Sequence, residues 1–183
     1  MKIKYKLTKL KFWLKHRVLD KKIKFLVYGD LDVKQNHARD LLNAVQDLSI
    51  YCGNMFEIII TGKNKFPNIN PQVREYIKFC NIKTDKEFEK VCKKADYFVP
   101  ILGLSDEIFL RLRSYEKPFI VDYRMGYNFN LREDSSIYYE DYFELYMYMK
   151  AAMFIMPEDY TCMCENVKHE RKSVFSRKIG CGQ

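Results

Sequence analysis

Glycine and proline are scarce in this sequence, with seven and five residues respectively among 183. Collagen-like, linker-rich and low-complexity chains are rich in these residues, so such classes are excluded. Apolar residues make up 48% of the sequence and aromatic residues 15%, which excludes an intrinsically disordered chain. A chain of this length buries enough surface to stabilise one domain without disulfides.

Long apolar segments are also missing. No uninterrupted apolar run reaches the roughly 18–20 residues that cross a bilayer, because Lys and Arg interrupt each one. The same interruptions exclude the apolar segment of a secretory signal. We therefore expect the chain in the cytoplasm, where it would meet a membrane only as a peripheral protein.

Motifs for metals and common cofactors are absent. None of the six cysteines forms a C-x-x-C pair, and Cys162-x-Cys164 has no second pair nearby. The sequence contains no P-loop and no G-x-G-x-x-G motif, so nucleoside-triphosphatase and classical dinucleotide-dependent functions have no support. We predict neither a metal nor a cofactor.

Positive charge is concentrated at the N-terminus. Residues 1–24 hold ten Lys or Arg residues against one acid, Asp20, whereas the whole chain carries a net charge of +8. The remainder is therefore close to neutral. Nucleic-acid-binding folds carry basic patches on their body, so this distribution argues against nucleic acid as a partner.

The first 22 residues have the pattern of a basic amphipathic arm. Their apolar residues repeat at helical spacing on one face: Ile3, Leu7, Leu10, Leu14 and Val18. The candidates for contact with a membrane or a partner are Lys9, Phe12, Trp13 and Lys15. Basic segments with Trp and Phe lie in membrane interfaces and are attracted to anionic lipids. A strand over residues 2–7 is the alternative, because apolar residues also alternate there.

Five apolar runs alternate with helical patterns between residues 23 and 122. The runs are 23–29, 56–62, 76–80, 96–102 and 118–122. Helical periodicity covers 35–50 and 84–95, and Ser105 is placed to cap a third helix that ends at Arg113. Continuous apolar strands are buried on both faces, which is typical of parallel sheets. We predict an α/β fold, a Rossmann-like parallel sheet with flanking helices.

The last third of the chain predicts a pair of helices. One covers residues 141–155, and Pro157 suits the first turn of a second, which runs toward Phe175. The chain is thereby divided into an arm (1–22), a Rossmann-like domain (23–176) and a flexible tail (177–183).

The ends of the predicted strands are candidate binding positions. In open parallel sheets, ligands bind at the carboxyl ends of the strands, where helix N-termini offer free N–H groups to anions. Gly29, Asp30, Gly62 and Lys63 follow the first two strands and should share this edge. Aspartate after a strand is also ordinary turn chemistry, which is the alternative interpretation of Asp30.

One histidine stands near this edge. His37 lies beside Asp40 on the first predicted helix, an arrangement compatible with a general base. The sequence favours the simpler interpretation, in which His37 lies on a solvent-facing side of the helix.

Several segments together resemble the C-terminal half of a GT-B glycosyltransferase, its donor-binding domain. They are residues 28–32 with 35–36, 57–62, 84–88 with 95–100, 116–120 and 158–160. The similarity extends over roughly residues 23–176 and rests on the order and spacing of these segments. It implies binding of a nucleotide-diphosphate sugar and hexosyl transfer in surface polysaccharide or glycoconjugate synthesis.

The resemblance also implies roles for individual residues. Backbone amides between Gly103 and Ser105 would hold the donor diphosphate. Asp106 and Glu107 would bind the hydroxyl groups of the sugar and the ribose, and Lys117 would add positive charge.

The sequence departs from the family in two ways. Residues 108–116 are shorter than the matching family segment and contain no glycine. The acceptor-binding half, which usually carries the catalytic base, has no counterpart, so we expect a separate domain or oligomer partner to supply it and assign no catalytic residue. The alternative is a catalytically inactive interaction or membrane-docking protein that retains the fold.

Overall fold

The computed structural model describes residues 22–29, 31–32, 36–62, 64–65, 69–101, 104–129 and 131–180. Within these residues, six parallel strands form the central sheet. They are β1 (Ile23–Tyr28), β2 (Phe56–Thr61), β3 (Ile77–Cys80), β4 (Tyr97–Pro100), β5 (Phe119–Asp122) and β6 (Ser136–Tyr139). Their order is β3-β2-β1-β4-β5-β6, with every neighbouring pair parallel. The order reverses between β1 and β4, as in doubly wound nucleotide-binding folds.

Seven α-helices connect and cover the described strands. They are α1 (Asn36–Cys52), α2 (Pro71–Arg74), α3 (Asp85–Lys94), α4 (Asp106–Arg113), α5 (Tyr123–Asn128), α6 (Tyr142–Phe154) and α7 (Pro157–Gly180). A 3-10 turn, Gly53–Met55, leads from α1 into β2. Two short strands, Leu31–Asp32 and Asn64–Lys65, pair in parallel beyond the ends of β1 and β2. None of the helices in the described part of the chain has both the length and the apolar character needed to cross a bilayer.

The predicted α/β fold is confirmed, and all five predicted strands are present. The sixth strand, β6, and the short helix α5 were not predicted. The last helix extends to Gly180, four residues into the segment that was expected to be a flexible tail. No proline interrupts the sequence between Pro157 and the end of this helix. The flexibility expected of residues 177–183 stays a prediction.

Side-chain caps fix where the helices begin. The hydroxyl of Thr84 accepts a hydrogen bond from the Glu87 backbone, and the Glu87 carboxylate accepts one in return from the Thr84 backbone. Ser105 caps α4 and Asp141 caps α6 with one hydrogen bond each. In both, the side-chain oxygen accepts from the backbone N–H three residues further along the chain. Such caps satisfy N–H groups that have no partner inside the helix.

The sheet separates two hydrophobic cores. Alternate residues of the strands face α1, α2 and α6 on one side and α3, α4 and α5 on the other. Helix α7 contributes to both cores, because Tyr160 and Cys164 lie in the first and Val167 lies in the second. The Tyr160 hydroxyl donates to the Asp96 carbonyl at 2.9 Å, which anchors this helix beside β4.

A buried ion pair connects α7 to the second core. The Arg113 guanidinium donates to the Glu170 carboxylate, and both side chains are 4% exposed. Glu170 also accepts from the Arg132 backbone N–H at 3.1 Å and from the Ser135 hydroxyl. One carboxylate therefore joins α4, α7 and the loop before β6.

We expect strong coupling between Arg113 and Glu170. Arg113→Met or Glu170→Leu alone should lower the free energy of unfolding by about 3–5 kcal/mol, because each leaves an unpaired buried charge. The double variant should lose less than the sum of the two, as measured by urea unfolding. Additive losses would show that the two charges are not energetically coupled.

Candidate functional site

The carboxyl ends of the parallel strands form one edge, where Gly29 and Gly62 end β1 and β2. Their φ angles are +138° and +121°, in the region that favours glycine. A Cβ atom on Gly29 would lie 3.2 Å from the Cβ of Ile101, just beyond β4. The Gly29 N–H also donates to the Thr61 carbonyl at 3.2 Å. Gly29 therefore lets the chain turn close against Ile101 at the end of β4.

The start of α4 lies at this edge as well. Ser105 Oγ accepts a hydrogen bond from the Ile108 N–H at 3.4 Å, and Asp106 and Glu107 occupy the first turn. All three residues are exposed. Carboxylates in a first helical turn are also stabilised by the helix dipole, so this placement alone does not assign them a ligand.

The structure does not bring Lys117 to the carboxyl edge. Lys117 precedes β5, so it lies at the amino end of that strand. This end belongs to the edge of the sheet opposite the carboxyl edge. There it lies near Cys164. Burial raises the pKa of the Cys164 thiol to about 11, although the positive charge of Lys117 lowers this pKa. Lys117 must therefore be removed from the predicted site.

The remaining predicted residues cannot be placed in the structure. Asp30, Lys63 and Gly103 lie outside the described residues, as do Lys9, Phe12, Trp13 and Lys15 of the arm.

A charged pair that the prediction did not include stands at the end of β5. Asp122 is 2% exposed, and its two carboxylate oxygens accept from Arg124 Nε at 3.1 Å and Arg124 Nη2 at 3.0 Å. The Arg124 backbone N–H donates to the same carboxylate at 2.9 Å. This bidentate contact fixes the guanidinium, whose side chain is 68% exposed, above the edge of the sheet.

His37 joins this pair from the first turn of α1. Its Nδ1 lies 3.5 Å from Asp122 Oδ2, and its Nε2 lies 3.3 Å from Arg124 Nη2. Since arginine only donates, Nε2 accepts and the ring proton is assigned to Nδ1. The His37 side chain is only 13% exposed. The interpretation of His37 as a solvent-facing helix residue is therefore wrong.

Asp40 and Tyr139 lie near this cluster, and their electrostatics differ from those of Asp122. Burial would raise the pKa of the Asp122 carboxyl, but the hydrogen bonds from Arg124 outweigh it and hold this pKa below its usual value. Burial raises the pKa of Asp40, and Asp141 and Asp122 add to this effect. Burial also raises the pKa of the Tyr139 phenol, which faces Asp122 and Asp40. The cluster thus contains one fixed carboxylate and one carboxyl that accepts a proton more readily.

The exposed side of Arg124 is the part of the cluster available to a ligand. Its Nη1 atom has no hydrogen-bond partner among the described residues, while Nε and Nη2 are held in place. An oriented guanidinium binds phosphate oxygens well. The described residues hold no group of three or more His, Cys, Asp or Glu side chains that could bind a metal.

A sequence signal for this cluster existed. Asp122-x-Arg124 follows an apolar strand directly, which places both charges at the binding edge of a parallel sheet. His37 is distant from them in sequence, and only the strand order brings α1 close to the end of β5.

Comparisons with solved structures identify the fold. The chain is similar to WaaG, a glycosyltransferase involved in lipopolysaccharide biosynthesis, with a TM-score of 0.66 and 15% identity over 90% of this chain and 46% of WaaG. It is also similar to HepE of Anabaena in complex with UDP and glucose, with a TM-score of 0.65 and 10% identity over 91% of this chain and 48% of HepE.

A third structure covers the corresponding domain alone. The C-terminal domain of LpcC, a group 1 glycosyltransferase from Francisella tularensis, matches with a TM-score of 0.59 and 10% identity over 87% of this chain and 88% of that domain. The chain thus spans about half the length of WaaG and HepE. It has the fold of the C-terminal domain of GT-B glycosyltransferases, as the sequence predicted. No protein-family model and no curated protein matches the sequence.

The lowered pKa of Asp122 gives a pH-dependent prediction. A lowered pKa stabilises the fold above the pKa of the unfolded carboxyl, about 3.9, and this stabilisation is lost as the pH falls through the folded pKa. Asp122→Asn should cost about 1 kcal/mol of unfolding free energy at pH 7, and the difference from the wild type should shrink below pH 4 when measured by urea unfolding.

Asp134→Asn is the matched control. Asp134 also pairs with an arginine, Arg132, but its side chain is 44% exposed. This change should have a small effect at every pH tested, because exposed pairs contribute little. A constant deficit of Asp122→Asn from pH 7 to pH 3 would contradict a role for the Asp122 charge.

Proposed function

We propose that the chain is a donor-binding domain that recognises a nucleotide-diphosphate sugar and serves glycosyl transfer. The observation that carries this proposal is the Arg124 guanidinium, fixed by the buried Asp122 at the carboxyl edge of a doubly wound sheet. Ligands of such sheets bind at this edge. An oriented cation there favours a ligand with phosphate oxygens.

The compared structures support the nucleotide-sugar part of the proposal. HepE binds UDP and UDP-glucose, and WaaG is a glycosyltransferase. At 10–15% identity these similarities concern the fold, and one fold supports many functions. The argument for this chain therefore depends on its own charged cluster.

Catalysis requires groups beyond this domain in our proposal. The chain corresponds to about half of WaaG and HepE, so a separate domain or partner would bind the acceptor. Transfer of a hexosyl group in surface polysaccharide or glycoconjugate synthesis would then occur between the two halves. Gly29 and Gly62, with Ser105, Asp106 and Glu107, would border the donor on the β1, β2 and β4 side of the edge.

Replacement of Arg124 tests the donor site. UDP-glucose and UDP should raise the melting temperature of the wild type, because a ligand that binds only the folded state stabilises it. Arg124→Gln should weaken UDP binding about tenfold or more in calorimetric titration, since it removes the cation that contacts the diphosphate.

Arg132→Gln provides the control for total charge. Arg132 is similarly exposed and also pairs with an aspartate, but it precedes β6 and lies away from the carboxyl edge. Arg132→Gln should therefore leave UDP binding unchanged. Equal losses in both variants, or no binding of UDP, GDP, ADP or CMP sugars by the wild type, would reject the proposed donor site. The latter outcome would favour the inactive interaction protein.

Contact of the arm with a membrane is a second part of the proposal. Trp13 is the single tryptophan of the chain, so its fluorescence reports on the arm alone. Emission should shift to shorter wavelength with vesicles of anionic lipid, and added salt should reverse the shift because basic residues provide much of the attraction. An equal shift with neutral vesicles would contradict the electrostatic contribution.

A further inference from the structure

A second candidate site lies beside β6, the edge strand of the sheet. A cavity of about 510 Å³ opens there, within the range of roughly 300–1,000 Å³ that is usual for small-ligand pockets. Its lining includes Tyr123, Leu131, Glu133, Ser136, Tyr138 and Tyr148. Tyr138 of β6 packs against the second core and Tyr148 of α6 against the first, so the pocket lies across the edge of the sheet. Tyr123, Tyr138 and Tyr148 do not belong to the Arg124 cluster.

The aromatic walls are held in a defined geometry. The rings of Tyr123 and Tyr138 lie 6.0 Å apart at an angle of 63°, so they form a corner. The Tyr138 hydroxyl donates to the Leu131 carbonyl at 2.6 Å. A Cβ atom on Gly126 would overlap the edge of the Tyr138 ring, so this position on α5 leaves space for the ring only as glycine. Tyr138 is therefore held at its hydroxyl group and along one edge of its ring.

The charge of the pocket limits its ligand. Glu133 is the only charged side chain among the described residues that line it, and it is exposed. The described lining residues offer no cation to a phosphate or carboxylate ligand, which separates this pocket from the site at Arg124. The lining instead combines aromatic faces with hydroxyl groups and one carboxylate.

We infer that this pocket binds a neutral saccharide. A pyranose ring presents C–H groups on its faces, which contact aromatic rings, and hydroxyl groups around its edge, which bind carboxylate and phenol oxygens. The inference rests on the proposed function: a separate domain or partner would hold the acceptor at the reacting end, and this pocket would bind a sugar residue further along the same saccharide. Tyr123 follows Asp122 directly in the chain, so the pocket begins beside the residues that would hold the donor.

Binding of neutral disaccharides tests this inference. Maltose, cellobiose and lactose are titrated into the full chain, with ligand-observed NMR as the readout, and at least one should show saturable binding. Tyr123→Ala should weaken it about three- to tenfold, the range expected for loss of one aromatic contact. Gly126→Ala should also weaken it by displacing the Tyr138 ring.

Two controls keep the result interpretable. Tyr142→Ala removes another partly exposed tyrosine, 41% exposed, that does not line the pocket, and it should leave binding unchanged. Tyr123 is 55% exposed, so Tyr123→Ala is expected to fold, and its circular dichroism should match that of the wild type.

The outcomes separate this inference from the proposed function. UDP binding without disaccharide binding would overturn the saccharide pocket and leave the donor site standing. Disaccharide binding that depends on Tyr123, without UDP binding, would support the pocket and reject the donor site. Binding of choline in place of disaccharides would overturn the inference, since three aromatic rings and a carboxylate also suit a quaternary ammonium ion.

Discussion

Parallel hydrogen bonding between neighbouring strands is the constraint on which the rest of the molecule depends. β1 lies at the centre of the sheet and pairs with both β2 and β4, so the strands on either side inherit its direction. Parallel strands need crossover helices, which cover both faces of the sheet and bury the strands. The same direction brings every carboxyl end to one edge. The burial of the strands and the formation of the binding edge therefore both result from parallel strand pairing.

Two buried carboxylates show how the fold uses charge in different ways. Glu170 is surrounded by Arg113, Ser135 and a backbone N–H, so its interactions are all internal and hold elements together. Asp122 is equally buried, yet its partner Arg124 remains largely exposed. The first carboxylate links buried elements of the fold, whereas the second holds a cation at the surface. Only the second arrangement leaves a charged group that a ligand can reach.

The sequence predicted those elements of the fold that leave a regular pattern of apolar residues. Long apolar runs and helical repeats revealed five strands and most helices, and Ser105 marked one helix start correctly. β6 was missed because its four residues, Ser136–Tyr139, lie between the polar residues 132–135 and the acids Glu140 and Asp141, so no apolar run marks it. α5 was missed because it follows β5 without a loop. The His37–Asp122 contact was beyond reach, because it depends on strand order, which local patterns do not encode.

The sharing of α7 between the two cores restricts how this domain can change. Tyr160 and Cys164 lie in one core and Val167 in the other, within two turns of a single helix. Each residue added to a helix rotates everything after it by about 100°. An insertion between Cys164 and Val167 would therefore turn Val167 and Glu170 away from their partners together. Length variation in related chains should accumulate in the loops and spare this helix.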